Sequence, residues 1–260
     1  MAAMDIDGVT LELDGRTATV TLARPDRRNA LSLDMLQSVI KALDSVPVDA
    51  GVVVLAAEGK AFSAGHDMKE MIDRPGQYYD DLFDTCGRMM AAIHALPQPV
   101  IAKVQGVATA AGCQLVASCD LAIASEAAWF ATPGVSIGLF CSTPMVPVSR
   151  AVGHKRAMHM LLTGDPISAE TAVEWGLINR AVPAAELDAA VDELASKILS
   201  FSRQTIVTGK RAYWSQAETP ESAAYEITTP IMAGNAARED AQEGMRAFLD
   251  KRAPVWPDNE

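Results

Sequence analysis

The chain has 260 residues, which is enough for one large domain with a substantial core, or for one domain with an appendage. Apolar residues make up 49% and charged residues 21% of it, a composition that excludes a disordered chain and is typical of a soluble globular protein. The net charge of −11 argues against nucleic-acid binding and against attraction to anionic membranes, so an anionic ligand would need a local basic cluster.

Alternating apolar and polar residues predict a β-hairpin near the start of the chain. The runs "VTLEL" and "TATVTL" flank "DGR", which is a turn signal. A basic turn, "RPDRRNALS", follows, and apolar residues at helical spacing then predict a helix that begins at Ser32 or Leu33. The apolar run "GVVVLAA" predicts a buried strand.

Strand and helix patterns alternate through the middle of the chain. The segment "GKAFSAGHDMKEM" predicts a turn of small residues that enters a short helix, and residues 78–96 predict an amphipathic helix. Next come a strand in "PVIAKVQG", a helix in "ATAAGCQLVASC" and a strand in "DLAIAS". This recurrence predicts an α/β fold.

Residues 127–149 form an uncharged stretch that is long enough to span a bilayer. It contains Pro133, Pro144 and Pro147 together with Gly134 and Gly138, which are poorly suited to a spanning helix. We therefore expect a buried, irregular stretch that lines a cavity, and no membrane association.

Helical patterns dominate from about residue 150. The segment "PISAETAVEWG" predicts a helix that ends at Gly176, and "LINRAVP" predicts a short strand. Further helices are predicted at 184–200, 203–216 and, with breaks, 220–250, the last with Thr219 as its N-cap. A boundary near residue 202 divides an α/β core (1–201) from a helical region (202–260) of the kind that covers a neighbour in an oligomer.

The four cysteines, Cys86, Cys113, Cys119 and Cys141, form no C-x-x-C pair, which favours reduced thiols over a disulfide framework. The acidic start, "MAAMDIDGVTLELDGR", resembles neither a signal peptide nor an Arg-rich transit peptide. On these two grounds we expect a cytoplasmic protein.

Several common catalytic and binding motifs fail on closer inspection. The "GVSIG" segment matches G-x-S-x-G around Ser136, but only His154 and His159 follow it, with no acid between residues 137 and 159. No two histidines have the spacing of a helical metal pair, so we expect no metal site. No dinucleotide or P-loop phosphate motif is found in the sequence.

Two turns rich in small residues, "AFSAGHD" and "ATAAGCQ", are the strongest site candidates. Small residues let a ligand approach backbone N–H groups, and the second turn opens a helix, whose first N–H groups lack partners. Two such N–H groups that converge would form an oxyanion hole. The alternative is that these small residues only permit tight helix–sheet packing.

Four segments, in this order and spacing, resemble the crotonase, or enoyl-CoA hydratase/isomerase, superfamily nearly from end to end. They are "RPDRRNALS", "GKAFSAGHDMKEM", "PVIAKVQGVATAAGCQLVASCDLAIAS" and "LLTGDPISAETAVEWGLINRAVP". Within that superfamily, "GLFCSTP" and "AFLDKRAPVW" resemble the enoyl-CoA hydratase domain-containing protein 3 branch.

The resemblance implies a crotonase-type spiral of ββα repeats, with C-terminal helices that build a homotrimer or a hexamer, and a place in fatty acid metabolism. The ligand would be an acyl-CoA thioester, so coenzyme A would be part of the substrate and no separate cofactor is expected. The thioester oxygen would be held by the backbone N–H groups of His66 and Ala111. The coenzyme A portion would lie near a basic turn and the first small-residue turn: Arg24, Arg27, Arg28, Ala30, Lys60, Ala64, Gly65, Asp67 and Met68.

The sequence departs from the superfamily at its acid–base positions. Hydratases of the superfamily use two glutamates, and here these positions hold Gln114 and Gly134. The acid position of some isomerases, eight residues further on, holds Ser142. Neither glutamine nor glycine acts as a carboxylate base. Possible replacement groups are Asp67, Glu70, Tyr79, Glu221 and Tyr225, none of which is well placed by spacing alone.

Three functions remain open at this point. The first is an acyl-CoA hydratase, which is a lyase-type enzyme, or an acyl-CoA isomerase, in either case with atypical chemistry. The second is an acyl-CoA decarboxylase-type member, which needs enolate stabilisation but no base. The third is an acyl-CoA binding protein without catalytic activity.

Overall fold

A computed structural model describes residues 4–257. Residues 1–3 of the predicted α/β core and residues 258–260 of the predicted helical region lie outside the described residues. Its strands are β1 Met4–Asp5, β2 Val9–Asp14, β3 Thr17–Leu22, β4 Val52–Ala57, β5 Ala61–Ser63, β6 Val100–Val104, β7 Val107–Thr109, β8 Leu121–Ser125, β9 Trp129–Ala131, β10 Ile167–Ser168 and β11 Arg180–Val182.

Its α-helices are α1 Leu33–Asp44, α2 Met68–Met71, α3 Gly76–Ala95, α4 Ala111–Ser118, α5 Met145–Val152, α6 His154–Thr163, α7 Ala169–Trp175, α8 Leu187–Leu199, α9 Arg203–Gln216, α10 Glu221–Ala236 and α11 Glu239–Leu249. Short 3-10 turns span residues 25–27, 133–137 and 184–186. None of the helices in the described range is long and apolar enough to cross a membrane.

The strands form two sheets. The larger has the order β1-β2-β3-β4-β6-β8-β11, and the smaller has the order β10-β9-β7-β5. In the larger sheet, β1, β2 and β3 pair antiparallel, and the pairs from β3 to β11 are parallel. In the smaller sheet, β5, β7 and β9 are parallel and β10 joins antiparallel.

The chain repeats one unit as it passes between the sheets. A strand of the larger sheet leads to a strand of the smaller sheet and then to a helix: β4, β5 and α2–α3; β6, β7 and α4; β8, β9 and α5–α6. Each turn of this spiral therefore places the carboxyl end of one short strand, β5, β7 or β9, beside the start of a turn or helix. The predicted α/β architecture of ββα units is confirmed.

Apolar side chains pack on both faces of the larger sheet. Helices α1 and α3 cover one face, where Met35, Leu36 and Ile93 are fully buried. Helix α8 covers the other face against β4, β6 and β8. At the start of α1, the Ser32 hydroxyl accepts a hydrogen bond from Met35 N at 3.2 Å, so the predicted helix start is correct.

The structure departs from the sequence predictions at several elements; for example, Ala61–Ser63, in a predicted turn, and Ile167–Ser168, in a predicted helix, are strands. Ala108 and Thr109, which the sequence places at the start of a helix, belong to strand β7, Val107–Thr109. The 127–149 stretch, predicted to be irregular and buried, contains β9 and most of α5, and Ile137 and Val146 are exposed. Thr219 does not cap α10, because its hydroxyl donates to Gln216 O at 2.7 Å.

The C-terminal helices are fastened to the core through a buried lysine. Lys210 of α9 donates to the carbonyl oxygens of Ile93, at 2.9 Å, and Gln98, at 2.8 Å. Its Nζ also lies 2.6 Å from the Asp120 carboxylate, which accepts from Trp214 Nε1 at 3.0 Å. These polar contacts fix α9 against the loops at the ends of α3 and α4.

Candidate active site

Three loops meet at one edge of the smaller sheet. They follow β5, β7 and β9, whose parallel pairing brings their carboxyl ends, Ser63, Thr109 and Ala131, to the same side. A cavity of about 450 Å³ opens there. Its lining consists of Ala64, His66, Met68, Phe83, Ala110, Ala111, Pro133, Gly134, Ser136, Ile137, Leu139, Phe140, Cys141, Ser142, Thr143 and Pro144.

The basic turn before α1 holds the first loop in place. Ala64 N donates to Arg28 O at 3.0 Å, and Gly65 O accepts from Leu31 N at 2.8 Å. The buried Asn29 donates to Ala61 O at 2.9 Å and so ties the same turn to β5. The "RPDRRNALS" segment therefore acts, in part, as the frame of the "AFSAGHD" turn.

The first and second loops touch at Gly65. This glycine has a φ of +87°, and a Cβ built there would lie 2.9 Å from Ala110 Cβ and 3.0 Å from Thr109 O. Both the backbone conformation and the lack of space require glycine. The residue that it touches, Ala110, has φ 50° and ψ −118°, a conformation that is rare for a residue with a side chain.

His66 and Ala111, two of the residues that line the cavity, lie next to this contact. Helix α4 begins at Ala111, so the Ala111 N–H has no partner within the helix. Among the described residues, neither Ala111 N nor His66 N donates a backbone hydrogen bond. Two unpaired donors from adjacent loops therefore lie beside a cavity that both of their residues line.

The imidazole of His66 is held from one side only. Its Nδ1 lies 3.0 Å from Leu31 O, and its ring meets the Phe83 ring edge-on with the centroids 5.3 Å apart. Burial lowers the pKa of His66, and the bond to the Leu31 carbonyl opposes that shift. The side chain is therefore predominantly neutral at pH 7.

Gln114 is buried on α4 and is not among the residues that line the cavity. Its Oε1 lies 3.8 Å from Cys86 Sγ of α3, within reach of a weak thiol hydrogen bond. Burial raises the pKa of the Cys86 thiol to about 12, so this thiol stays protonated and able to donate.

Gly134 lines the cavity but has no room for a side chain. A Cβ built there would lie 2.0 Å from Leu139 O and 2.9 Å from Cys141 Sγ. The backbone is folded tightly at this point, since Leu139 N donates to Gly134 O at 3.0 Å. Ser142 also lines the cavity, and its hydroxyl faces Phe140 O at 3.4 Å.

The residues expected near coenzyme A are distributed around the first loop rather than inside the cavity. Of that set, only Ala64 and Met68 line it. Arg24 donates to Asp7 O at 2.5 Å, and Asp67 caps α2 through Lys69 N at 3.0 Å. Arg27, Arg28 and Lys60 are exposed on the surface beside this loop.

The possible replacement acids lie elsewhere. Asp67 and Glu70 pair with Arg27 at 3.6 and 3.8 Å, and the Tyr79 hydroxyl donates to Met71 O at 2.7 Å. Glu221 and Tyr225 line a separate polar pocket at α10. None of these five is among the residues that line the cavity.

Some cavity residues were not anticipated from the sequence. Phe83 reaches it from the middle of α3, and Ile137, Leu139 and Phe140 form an apolar wall. The Pro- and Gly-rich "ATPGVSIGLFCSTP" composition was the available signal, and it pointed to a cavity without naming these side chains.

Other reactive groups do not form a second site. The Ser136 hydroxyl donates to Pro133 O at 2.7 Å rather than to a histidine. Within residues 4–257, no group of three His, Cys, Asp or Glu side chains is placed to hold a metal ion. The four cysteines are free thiols.

Comparison with known proteins gives matches over almost the whole chain. The sequence model of the enoyl-CoA hydratase/isomerase family matches residues 13–259. The human protein named enoyl-CoA hydratase domain-containing protein 3, mitochondrial, is 48% identical over 248 residues, which cover 94% of this chain and 82% of the human one.

Solved structures with the same fold support these matches. A Mycobacterium smegmatis enoyl-CoA hydratase superposes with a TM-score of 0.94 at 47% identity, covering 96% of this chain and 98% of the other. Human enoyl coenzyme A hydratase domain-containing protein 3 superposes with a TM-score of 0.92 at 46% identity, covering 96% and 100%. The crotonase-type fold predicted from the sequence is confirmed.

The expected cytoplasmic location is contradicted by these comparisons. The human, mouse and rat relatives, at 46–48% identity, are all named as mitochondrial proteins. The expectation depended on the absence of paired cysteines and on the absence of a targeting pattern in the first residues of this sequence. Such an absence says nothing about location when the related chains are longer than this one.

Proposed function

Because this chain belongs to the enoyl-CoA hydratase/isomerase family, close to its domain-containing protein 3 branch, we propose that it binds an acyl-CoA thioester in the cavity between the three loops. The thioester oxygen accepts hydrogen bonds from His66 N–H and Ala111 N–H. The observation that carries this proposal is that both donors are unpaired and belong to residues that line the cavity.

Two such donors favour the enolate of the thioester over its neutral form. Negative charge builds on the oxygen when a bond at the neighbouring carbon breaks, and preorganised N–H groups stabilise that charge by about 3–4 kcal/mol per donor. The Ala111 N–H also lies at the start of α4, where the helix dipole adds a partial positive charge. Backbone N–H groups need no particular side chain for this role.

Ordinary hydration is not the reaction that this site favours. It requires carboxylates to hold and activate water, and the corresponding positions are Gln114, outside the cavity lining, and Gly134, without space for a side chain. Loss of one acid–base group typically removes a factor of about 10²–10⁴ in rate. We therefore expect hydration of crotonyl-CoA to be far slower than that by a hydratase with both glutamates.

Decarboxylation of a carboxylated acyl-CoA is a second candidate. It passes through the same enolate and requires no base to generate it, which suits a cavity whose lining contains no carboxylate. Carbon dioxide release from malonyl- or methylmalonyl-CoA, followed by mass spectrometry, tests it. Failure to release carbon dioxide from either substrate excludes it.

Acetoacetyl-CoA is a direct probe of the proposed oxyanion hole, since its enolate absorbs in the near ultraviolet and the neutral form does not. We expect this protein to bind it and to increase the enolate band at neutral pH. Binding without that band would leave a thioester-binding protein without enolate stabilisation, and lack of binding in calorimetry would contradict the proposal as a whole.

We also propose that the chain assembles as a homotrimer or as a hexamer through its C-terminal helices. Helix α10 has no buried residue, and Met232, Met245, Phe248 and Leu249 of α10 and α11 are exposed. Apolar surface of this extent is typical of a protein interface.

A further inference from the structure

The side chain of His66 is a buried titratable group for which the oxyanion-hole proposal has no use, since that role belongs to its backbone. The residue is only 8% exposed, and it lines the cavity. Its Nδ1 lies 3.0 Å from the Leu31 carbonyl oxygen, which only accepts hydrogen bonds. Nδ1 therefore carries the proton, and Nε2 is left with its lone pair.

That lone pair has no partner among the described residues. Nε2 of His66 is buried without a hydrogen bond. A buried acceptor without a donor is costly, and such groups in native proteins often have a functional reason. His66 lines the cavity, so a ligand that displaces the groups covering Nε2 is the natural partner for it.

The remaining cavity lining offers no better proton acceptor. It contains no carboxylate and no lysine, and its other titratable side chain is Cys141. Burial raises the pKa of that thiol, so it is protonated at neutral pH. The neighbouring carboxylates, Asp67 and Glu70, face Arg27 instead.

We propose that Nε2 of His66 is the general base that removes the α-proton of the bound acyl-CoA thioester. This inference rests on the proposed function of the same cavity. The Cα–H bond breaks, its proton goes to Nε2, and its electron pair moves through Cα to the thioester oxygen, which becomes an enolate held by His66 N–H and Ala111 N–H. Return of a proton from the imidazolium to the enolate carbon closes the cycle.

The covalent structure of histidine favours this arrangement. If the backbone N–H of His66 holds the thioester oxygen, the imidazole of the same residue is only a few bonds away from that N–H. The acyl α-carbon is two bonds from the same oxygen, so both groups are held near each other. The bond to Leu31 fixes the ring against rotation and supports the imidazolium when it forms. The lowered pKa of His66, caused mainly by burial, keeps the free base present at neutral pH.

Exchange of the α-protons of butyryl-CoA in deuterium oxide, followed by proton NMR and mass spectrometry, measures this step directly. The variant His66→Asn keeps the backbone N–H and a donor for Leu31 but removes Nε2. We expect it to bind butyryl-CoA as the unchanged protein does and to exchange at least about 100-fold more slowly. The variant His154→Asn, at an exposed position on α6, is the matched control and should exchange normally.

The pH profile of exchange by the unchanged protein gives a second, independent readout that does not depend on the folding of a variant. A histidine base predicts that the rate falls as pH decreases through a pKa below 6.5. Equal exchange rates for His66→Asn and the unchanged protein would overturn the inference, and so would binding of butyryl-CoA without any exchange. Lack of butyryl-CoA binding would instead remove the proposed function on which the inference rests.

Discussion

The carbonyl oxygen of Leu139 occupies the space where a side chain at Gly134 would begin, since a Cβ built there lies only 2.0 Å from it. The position where the resemblance to hydratases implies a catalytic glutamate is thus closed by the backbone of the next turn. A single substitution at Gly134 cannot restore that carboxylate without moving the 138–141 segment.

The variant Gly134→Ala should therefore be destabilised by about 1–3 kcal/mol, because the added methyl group forces the backbone around Leu139 to shift. Gly134→Glu should be destabilised further, and the double variant Gln114→Glu/Gly134→Glu should gain no hydratase activity. Urea unfolding and crotonyl-CoA hydration assays measure these effects.

The matched control is Gly87→Ala in the middle of α3, where a built Cβ meets nothing within 4 Å. It should be stabilised by about 0.5–1 kcal/mol, as expected for alanine in a helix. Hydratase activity in the double variant would show that the 138–141 segment moves aside easily. This result would contradict the tight packing of Leu139 O against Gly134.

The conformation of Ala110 supports a second prediction. Its φ of 50° and ψ of −118° are sparsely populated by residues with a side chain, and such strain costs on the order of 1–3 kcal/mol. Glycine adopts them without strain but loses more entropy on folding. We expect Ala110→Gly to raise the free energy of unfolding slightly, by up to about 1 kcal/mol. Ala92→Gly, within α3, should lower it by a similar amount. Destabilisation of Ala110→Gly equal to that of Ala92→Gly would show that Ala110 is not strained.

Much of this fold follows from the sequence, but the smaller sheet does not. The hairpin of β2 and β3 alternates over six residues on each side, and Ser32 gives a clear helix start. In contrast, β5, β7 and β9 have three residues each, too few to show a two-residue period. They lie among small residues that also suit turns and helices, so the sequence pattern places Ala108 and Thr109 of β7 in the helix that follows.

The site was predictable in its backbone groups more than in its side chains. The small residues around His66 and Ala111 are a local sequence signal for turns, and this signal does not depend on tertiary packing. Both His66 and Ala111 line the cavity. The burial of Gln114 against Cys86 depends on how α4 packs on α3, which no local pattern encodes. The same holds for Phe83, which is one apolar residue among several on α3.

The buried ion pair between Lys210 and Asp120 supports a prediction about how α9 is attached. Their side chains are 6% and 16% exposed, and the Lys210 ammonium is also bonded to two carbonyl oxygens. Removal of one partner leaves a buried charge, which typically costs about 3–5 kcal/mol. We expect this loss for Lys210→Met in chemical unfolding.

Lys103→Met is the matched control, because Lys103 pairs at 2.8 Å with Asp188, whose side chain is 81% exposed, and Lys103 itself is 29% exposed. It should cost less than about 1 kcal/mol. Equal losses in the two variants would mean that burial of the Lys210 pair has no energetic effect.

The lowered pKa of His66 predicts a pH dependence of stability. The folded protein binds the proton less tightly than the unfolded chain, whose histidine titrates near 6.5, so stability is greatest above that pH and falls as the pH decreases below it. His94, stacked on Trp214, has its pKa lowered by burial in the same direction and contributes as well.

Thermal unfolding at a series of pH values measures this effect. The stability of His66→Asn should therefore fall less steeply below pH 6.5 than the stability of the unchanged protein. His154→Asn, at an exposed position, should keep the profile of the unchanged protein. A profile for His66→Asn identical to that of the unchanged protein would contradict the burial of this imidazole.

The proposed homotrimer or hexamer should depend on the apolar surface of the C-terminal helices. Phe248 is 82% exposed on α11, next to Leu249, and exposure of both in a monomer leaves a large apolar surface in water. Light scattering should give a mass of three or six chains, and Phe248→Glu should reduce it, because burial of an unpaired carboxylate in an interface is costly. The control is Val48→Glu, because Val48 is 78% exposed and lies in the α/β region (1–201), away from the C-terminal helices. This variant should leave the mass unchanged. A monomeric mass for the unchanged protein would exclude the assembly, and would leave the two N–H groups and their cavity, which lie within one chain, unaffected.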